Sequence, residues 1–389
     1  MTDAAPGRRR PPPARTSAPG PRARTLGLAF LGCGQASALH ARTLARVAPD
    51  VALHYASRTA ARARNLAARR RGAGWFDGYE AALADERVSA AVVLTPPALH
   101  LRWTLAALEA GKDVIVEKPA FPRSADFDMV SSAAAQAGRR VLVAENYAYK
   151  PLLAHLRRIF REEMLGRPLF LQVNALKHQR GDGWRADPGQ SGGGALLEGG
   201  IHWLSLLARI GPEIAAVRAA SPDRGSGHER SMQVLLEYEQ GTVASLSYSW
   251  DVPSRFKGLR LSRIYGTEGS AVFESNGLFL AAFGRRRMIR FGSRDLLGYE
   301  AMFRDFIAAL RSGGTTSFTL AHARRDVELV EEAYRSAGLP PPGSVAGSGG
   351  PAELDGPEES SHGRGSSVER PHHARTNDTT REGGSSWSG

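Results

Sequence analysis

The 389-residue chain predicts an α/β protein: an N-terminal doubly wound parallel sheet, then an α+β domain with a large, mainly antiparallel sheet. Three observations carry this. Short apolar runs alternate with helical stretches from residue 26 to 144, a Gly-x-Gly turn joins the first run to the first helix, and beyond about Asn146 the pattern becomes strand-rich.

The first run, LGLAFL at 26–31, reads as a buried strand, followed by a helix at 35–47 and a strand at 51–56. That is a βαβ unit. A helix ending at 71, a short helix at 79–85, a buried strand at 90–94, a helix at 101–110 and a strand at 114–116 continue the alternation. A helix at 124–137, closed by Gly138, and a strand at 140–144 complete the first part. The second part opens with a helix at 151–163 and a strand at 169–177, then a polar loop, a glycine run and a helix at 195–209. Strands at 215–219, 232–238, 243–250, 259–265, 271–274 and 288–291 follow, with turn residues such as Gln240 and Gly241 between neighbours. Helices at 299–311 and 321–336 close it. The expected division is a basic, Pro-rich, disordered leader at 1–24, a dinucleotide-binding domain at 25–147, a substrate and oligomerisation domain at 148–338, and a disordered tail at 339–389.

Composition removes several function classes. The formal charge of +12 invites a nucleic-acid reading, but six arginines against Asp3 alone sit in the leader. A second run, Arg58 to Arg71, alternates Arg with Ala as a solvated helix face would, and no aromatics interleave with it. No nucleic-acid partner is expected. One cysteine, Cys33, allows no internal disulfide, and no apolar run approaches the roughly 20 residues of a membrane helix. A cytoplasmic protein without membrane contact is expected. Arginines, an apolar run and then Cys33 also resemble a lipoprotein export signal. Cleavage there would remove the first strand of the sheet, and Phe30 occupies the lipobox position usually held by Leu, so that reading fails.

GCGQAS, residues 32–37, supplies two glycines of a phosphate-binding turn, with Gly32, Gly34, Gln35 and Ala36 as cofactor contacts and Ser37 at the third position. Where the second strand ends, an acidic residue would bind the adenosine ribose and a basic one a 2′-phosphate. Ser57 and Arg58 stand there, favouring NADP, with NAD as the alternative. The segment VVLTPPALH puts Thr95, Pro96 and His100 at the ligand-binding edge of the sheet. AGKDVIVEKPAF puts Glu117 and Lys118, further candidate cofactor contacts, directly after a buried strand.

Taken together these segments, with ENYAYKP at 145–151 and GGGALLEGGIHWLSLL at 192–207, resemble the Gfo/Idh/MocA family, the glucose-fructose oxidoreductase and inositol dehydrogenase group. The resemblance covers roughly residues 25–336. It implies a Rossmann domain, hydride transfer with NADP or NAD on a sugar, cyclitol or related polyol, no metal, and a homo-oligomer built through the second domain's sheet. Lys118 would touch the substrate oxygen, His202 would move the proton, and Glu198, four residues before it on the same helical face, would tune it. The family more often has Asp at Glu198 and again at Ser205, which leaves open what orients His202. Tyr147, Tyr149, Lys150, Lys177, His178, Trp184 and Arg185 are candidate substrate contacts. The family also contains redox-neutral hydrolases and lyases with a retained dinucleotide. A non-catalytic dinucleotide sensor or scaffold is the third alternative.

Overall fold

The computed structural model describes residues 25–180, 183–223, 228–253 and 259–344. The predicted leader, and the predicted tail from 345 on, lie outside the described residues.

In chain order the first part comprises β1 (Gly27–Leu31), α1 (Gln35–Val47), β2 (Ala52–Ser57), α2 (Ala60–Arg70), β3 (Gly74–Asp77), α3 (Tyr79–Ala84), β4 (Ala90–Val93), α4 (His100–Glu109), β5 (Asp113–Glu117), α5 (Asp126–Ala137) and β6 (Val141–Ala144). Its six strands are parallel, in the order β3-β2-β1-β4-β5-β6. The order reverses beside β1, at the crevice where such sheets bind ligand. Helices packed on both sides of the sheet cover both faces of β1: Leu28 and Phe30 enter one core, Ala29 and Leu31 the other, all fully buried. This explains an apolar run without alternation. Burying a side chain such as Phe30 stabilises the fold by roughly 2–3 kcal/mol.

The second part adds α6 (Pro151–Arg161), β7 (Pro168–Leu176), α7 (Pro188–Ser191), a π-helical turn (Leu196–Gly200) running into α8 (Ile201–Leu207), then β8 (Ile214–Ala220), β9 (Ser231–Tyr238), β10 (Val243–Ser249), β11 (Leu261–Gly266), β12 (Gly269–Glu274), β13 (Phe279–Phe283) and β14 (Arg287–Phe291), with α9 (Tyr299–Ser312) and α10 (Leu320–Ser336) at the end. The eight strands are ordered β14-β13-β12-β11-β7-β10-β9-β8. All neighbours are antiparallel except β7 and β10, which pair in parallel at the centre.

Helix α9 returns to the first sheet. Its Met302, Phe303 and Phe306 share a core with Leu28, Phe30, Val92 and Ile115. The other face of that sheet is continuous with the core under the eight-stranded sheet, so the two sheets meet through packed side chains. The crevice between them holds the site.

Candidate functional site

At the β1–α1 turn the two glycines are required for different reasons. Gly32 has φ of 122°, and a Cβ there would lie 2.8 Å from the Leu94 carbonyl, so backbone and space both exclude a side chain. Gly34 has an ordinary φ of −86° but caps α1, and a Cβ there would meet nothing within 4 Å. No side chain caps the helix, and its first turn, opening with Gln35 and Ala36, holds no acidic residue. This open cradle before the positive end of a helix fits a dinucleotide pyrophosphate. Ser37 is fully buried and donates Oγ to the Gly32 carbonyl at 2.5 Å, so the third-position serine fastens the turn. Ser57 ends β2, its Oγ accepting the Thr59 N–H, and half-buried Arg58 follows it at the sheet edge.

Two buried histidines tie the neighbouring turns together. His100 bridges the carbonyls of Thr95 (2.8 Å) and Pro119 (2.9 Å), joining the Thr95-Pro96 turn after β4 to the turn after β5. His40 of α1 lies 2.6 Å from Glu117 Oε1, while Glu117 Oε2 accepts the backbone N–H of Lys118 at 2.9 Å. Glu117 is thereby engaged within the protein, holding the strand end that carries Lys118.

Lys118 Nζ donates to the carbonyl of Glu198 at 2.6 Å, which brings the end of β5 against the π-turn before α8. Widened turns of this kind recur at functional sites. The Glu198 side chain does not reach His202; its Oε1 accepts Arg185 Nε at 2.8 Å. Burial works to raise the Glu198 carboxyl, but Lys118, Arg185 and Lys177 outweigh it and hold it at about 2. The carboxylate on His202 is Glu145, at the end of β6, whose two oxygens lie 2.7 and 2.9 Å from Nδ1. Glu145 is 2% exposed and also accepts the Tyr147 N–H at 2.9 Å. A carboxylate can only accept, so Nδ1 carries the proton and Nε2 is left as the base. Burial lowers the His202 imidazole from its ordinary value, against the pull of Glu145. Tyr147 stacks on His202 with ring centres 4.5 Å apart.

The sequence identifies Lys118, Glu198 and His202 but misses the orienting role of Glu145, which lies 57 residues before its partner. Ser205, where the family more often has a second Asp, is fully buried and takes Arg209 Nη1 on Oγ at 3.1 Å. Tyr149 turns away from His202: its hydroxyl donates to Asp305 of α9 at 2.8 Å and accepts the Phe318 N–H. Lys150 is buried, with Nζ 4.1 Å over the Tyr147 ring and no hydrogen-bond partner among the described residues, and burial pushes its ammonium down to about 8. Lys177 follows β7 beside the π-turn, whereas His178 is exposed. Arg185 stacks over Trp184 at 4.2 Å.

A parallel sheet with a phosphate cradle at its switch point, a lysine bonded to the turn before the second domain's helix and a histidine oriented by a carboxylate fit a dinucleotide-dependent oxidoreductase. Residues 26–145 match the family model described as an oxidoreductase family with an NAD-binding Rossmann fold, and residues 153–272 match the GFO/IDH/MocA C-terminal domain. The chain belongs to the Gfo/Idh/MocA oxidoreductase family. It is 27% identical over 275 residues to D-xylose 1-dehydrogenase (NADP(+)) 2 of Haloferax volcanii, covering 67% of this chain and 82% of that one. It is 29% identical to dTDP-3,4-didehydro-2,6-dideoxy-alpha-D-glucose 3-reductase of Streptomyces antibioticus, over 73% of this chain and 88% of the relative. Among solved structures, GenD2 from gentamicin A biosynthesis in complex with NAD superposes with a TM-score of 0.70 at 25% identity, covering 84% and 97% of the two chains.

Proposed function

We propose that the protein interconverts a secondary alcohol and a ketone on a sugar or related polyol, using NADP or NAD. The observation that carries this reading is the bond from Lys118 Nζ to the Glu198 carbonyl, four residues before His202, whose Nδ1 is held by Glu145. The nicotinamide, when bound, supplies or accepts the hydride. Gly32, Gly34, Gln35 and Ala36 would hold the pyrophosphate, with Thr95, Pro96 and His100 shaping the adjoining edge. Lys118 polarises the reacting oxygen, and Nε2 of His202 takes the hydroxyl proton in the oxidative direction and returns it in the reductive one. Glu198 acts on these groups through its charge and Tyr147 through stacking, while Lys177, Trp184 and Arg185 line the substrate side. Names of relatives that include xylose, levoglucosan and dTDP-sugar activities support the substrate class.

Arg58, at the end of β2, supports NADP over NAD, because a guanidinium complements a 2′-phosphate. The single thiol of Cys33 supports a cytoplasmic setting, and none of the described helices is long and apolar enough to cross a membrane.

The test is a panel of sugars and cyclitols assayed with each dinucleotide by nicotinamide absorbance. Activity is expected with NADP above NAD, and Lys118→Ala is expected to lower kcat/KM by about 10²-fold or more. Unchanged activity in that variant would refute the role given to Lys118.

A further inference from the structure

The substrate side of the crevice holds more positive charge than a neutral sugar calls for. Lys118 Nζ holds the Glu198 carbonyl, and Lys177 Nζ lies 3.7 Å from the position a Cβ would take on Gly199, so two ammonium groups flank one peptide unit. Glycine is needed at 199 because a Cβ there would stand 2.1 Å from the Tyr248 hydroxyl, which packs against the same turn. Arg185 adds a third cation and donates only through Nε to Glu198 among the described residues. Glu198 is the carboxylate these cations share, because Glu145 is committed to His202. Lys177 has no carboxylate at ion-pairing distance among the described residues, only the Tyr248 ring at 5.7 Å. Burial pushes its ammonium down to about 8 in spite of Glu198.

We infer that the substrate is an anionic sugar, whose carboxylate or phosphate is received by Lys177 and the free edge of the Arg185 guanidinium while its carbinol lies between Lys118 and His202. This rests on the oxidoreductase reading above. A partly desolvated ammonium gains little from a sugar hydroxyl, which already satisfies it less well than water. An oxyanion offers charge-assisted hydrogen bonds, and the planar guanidinium can meet a carboxylate or phosphate with two donors.

The experiment compares matched substrates with the full-length protein and each dinucleotide: glucose against glucuronate, glucose 6-phosphate and a nucleoside-diphosphate glucose, with the corresponding galactose and xylose series. An anionic member is expected to exceed its neutral counterpart in kcat/KM by about 10–100-fold, the worth of one charged hydrogen bond, and the reactive series identifies the oxyanion as carboxylate or phosphate. Lys177→Met, checked for folding by its dinucleotide affinity, is expected to collapse that ratio towards one; Arg185→Gln provides the second variant. Neutral sugars turned over as well as their anionic counterparts would overturn the inference and leave the oxidoreductase reading standing. A preference surviving in both variants would also overturn it. Turnover of neither kind would overturn the reading itself.

Discussion

Glu145 and Glu198 both lie beside Lys118, yet their geometry gives them different work. Glu198 faces Arg185 and Lys177, whereas Glu145 grips Nδ1 of His202 from the end of β6. A histidine that removes a proton must be neutral at Nε2, so oxidation should fall as pH drops through the His202 pKa, which burial sets below the ordinary 6.5. Glu145 raises that value. Glu145→Gln should therefore move the acid limb of the kcat profile to lower pH, while loss of tautomer control lowers kcat by about 10²-fold. Stopped-flow hydride transfer across pH reads both. An unshifted acid limb with normal kcat would mean that Glu145 has no part in orienting the base. The residue types Lys118 and His202 were legible from their motifs. Glu145 was not legible as a partner, because nothing local in ENYAYKP records where a helix 57 residues later will lie.

At the scale of elements, the helix bearing His202 is held at its start by a buried cluster. Glu229 accepts the Leu196 N–H at 2.7 Å and the Tyr334 hydroxyl at 2.6 Å, while Tyr334 accepts the Gly194 N–H. A Cβ on Gly194 would fall 1.8 Å from Glu229 Oε2, which is why glycine stands at that position. Burial raises the Glu229 carboxyl from 4.5 to about 7, with nearby Asp223 adding to the effect and the Tyr334 and Leu196 donors opposing it. An acid raised on folding contributes stability that is whole below its unfolded value and is lost as pH climbs through its folded one. Glu229→Gln, neutral throughout, should therefore exceed the wild type in stability at pH 8, by on the order of 2 kcal/mol, with the gap closing towards pH 5. Thermal melts at the two pH values check this, and equal Tm differences at both would rule it out. Most elements were legible from apolar patterning, and the misses have physical causes. β3 is a four-residue edge strand with only Phe76 buried, too short to show a period. β13 places apolar Phe279 and Phe283 on its outer face, which erases the alternation. The parallel pairing of β7 with β10 and the π-turn at Glu198 arise from tertiary contacts that leave no local spacing.

Across the whole molecule, the eight-stranded sheet keeps one face for the core and turns the other outward. Register aligns Phe170 of β7, Tyr265 of β11 and Phe283 of β13 on that outer face, with Leu261, Ile289 and Phe291 beside them, and Phe291 is 78% exposed. An apolar strip of this kind is where the expected homo-oligomer would associate. Light scattering should give a dimer or tetramer, and Phe170→Asp with Tyr265→Asp should release monomer; a monomeric wild type would remove the expectation. The return of α9 to the first sheet has a consequence for how the chain comes into being. Synthesis proceeds from the N-terminus, so the strand face formed by Leu28, Phe30, Val92 and Ile115 emerges from the ribosome long before Phe303 and Phe306 exist to finish its cover. Until then the small side chains of α1 and α2, such as Ala41, Ala63 and Ala67, shield it only in part. The nucleotide-binding half therefore matures only once α9 has been made, and a nascent chain stalled before Tyr299 would leave that strand face part-covered.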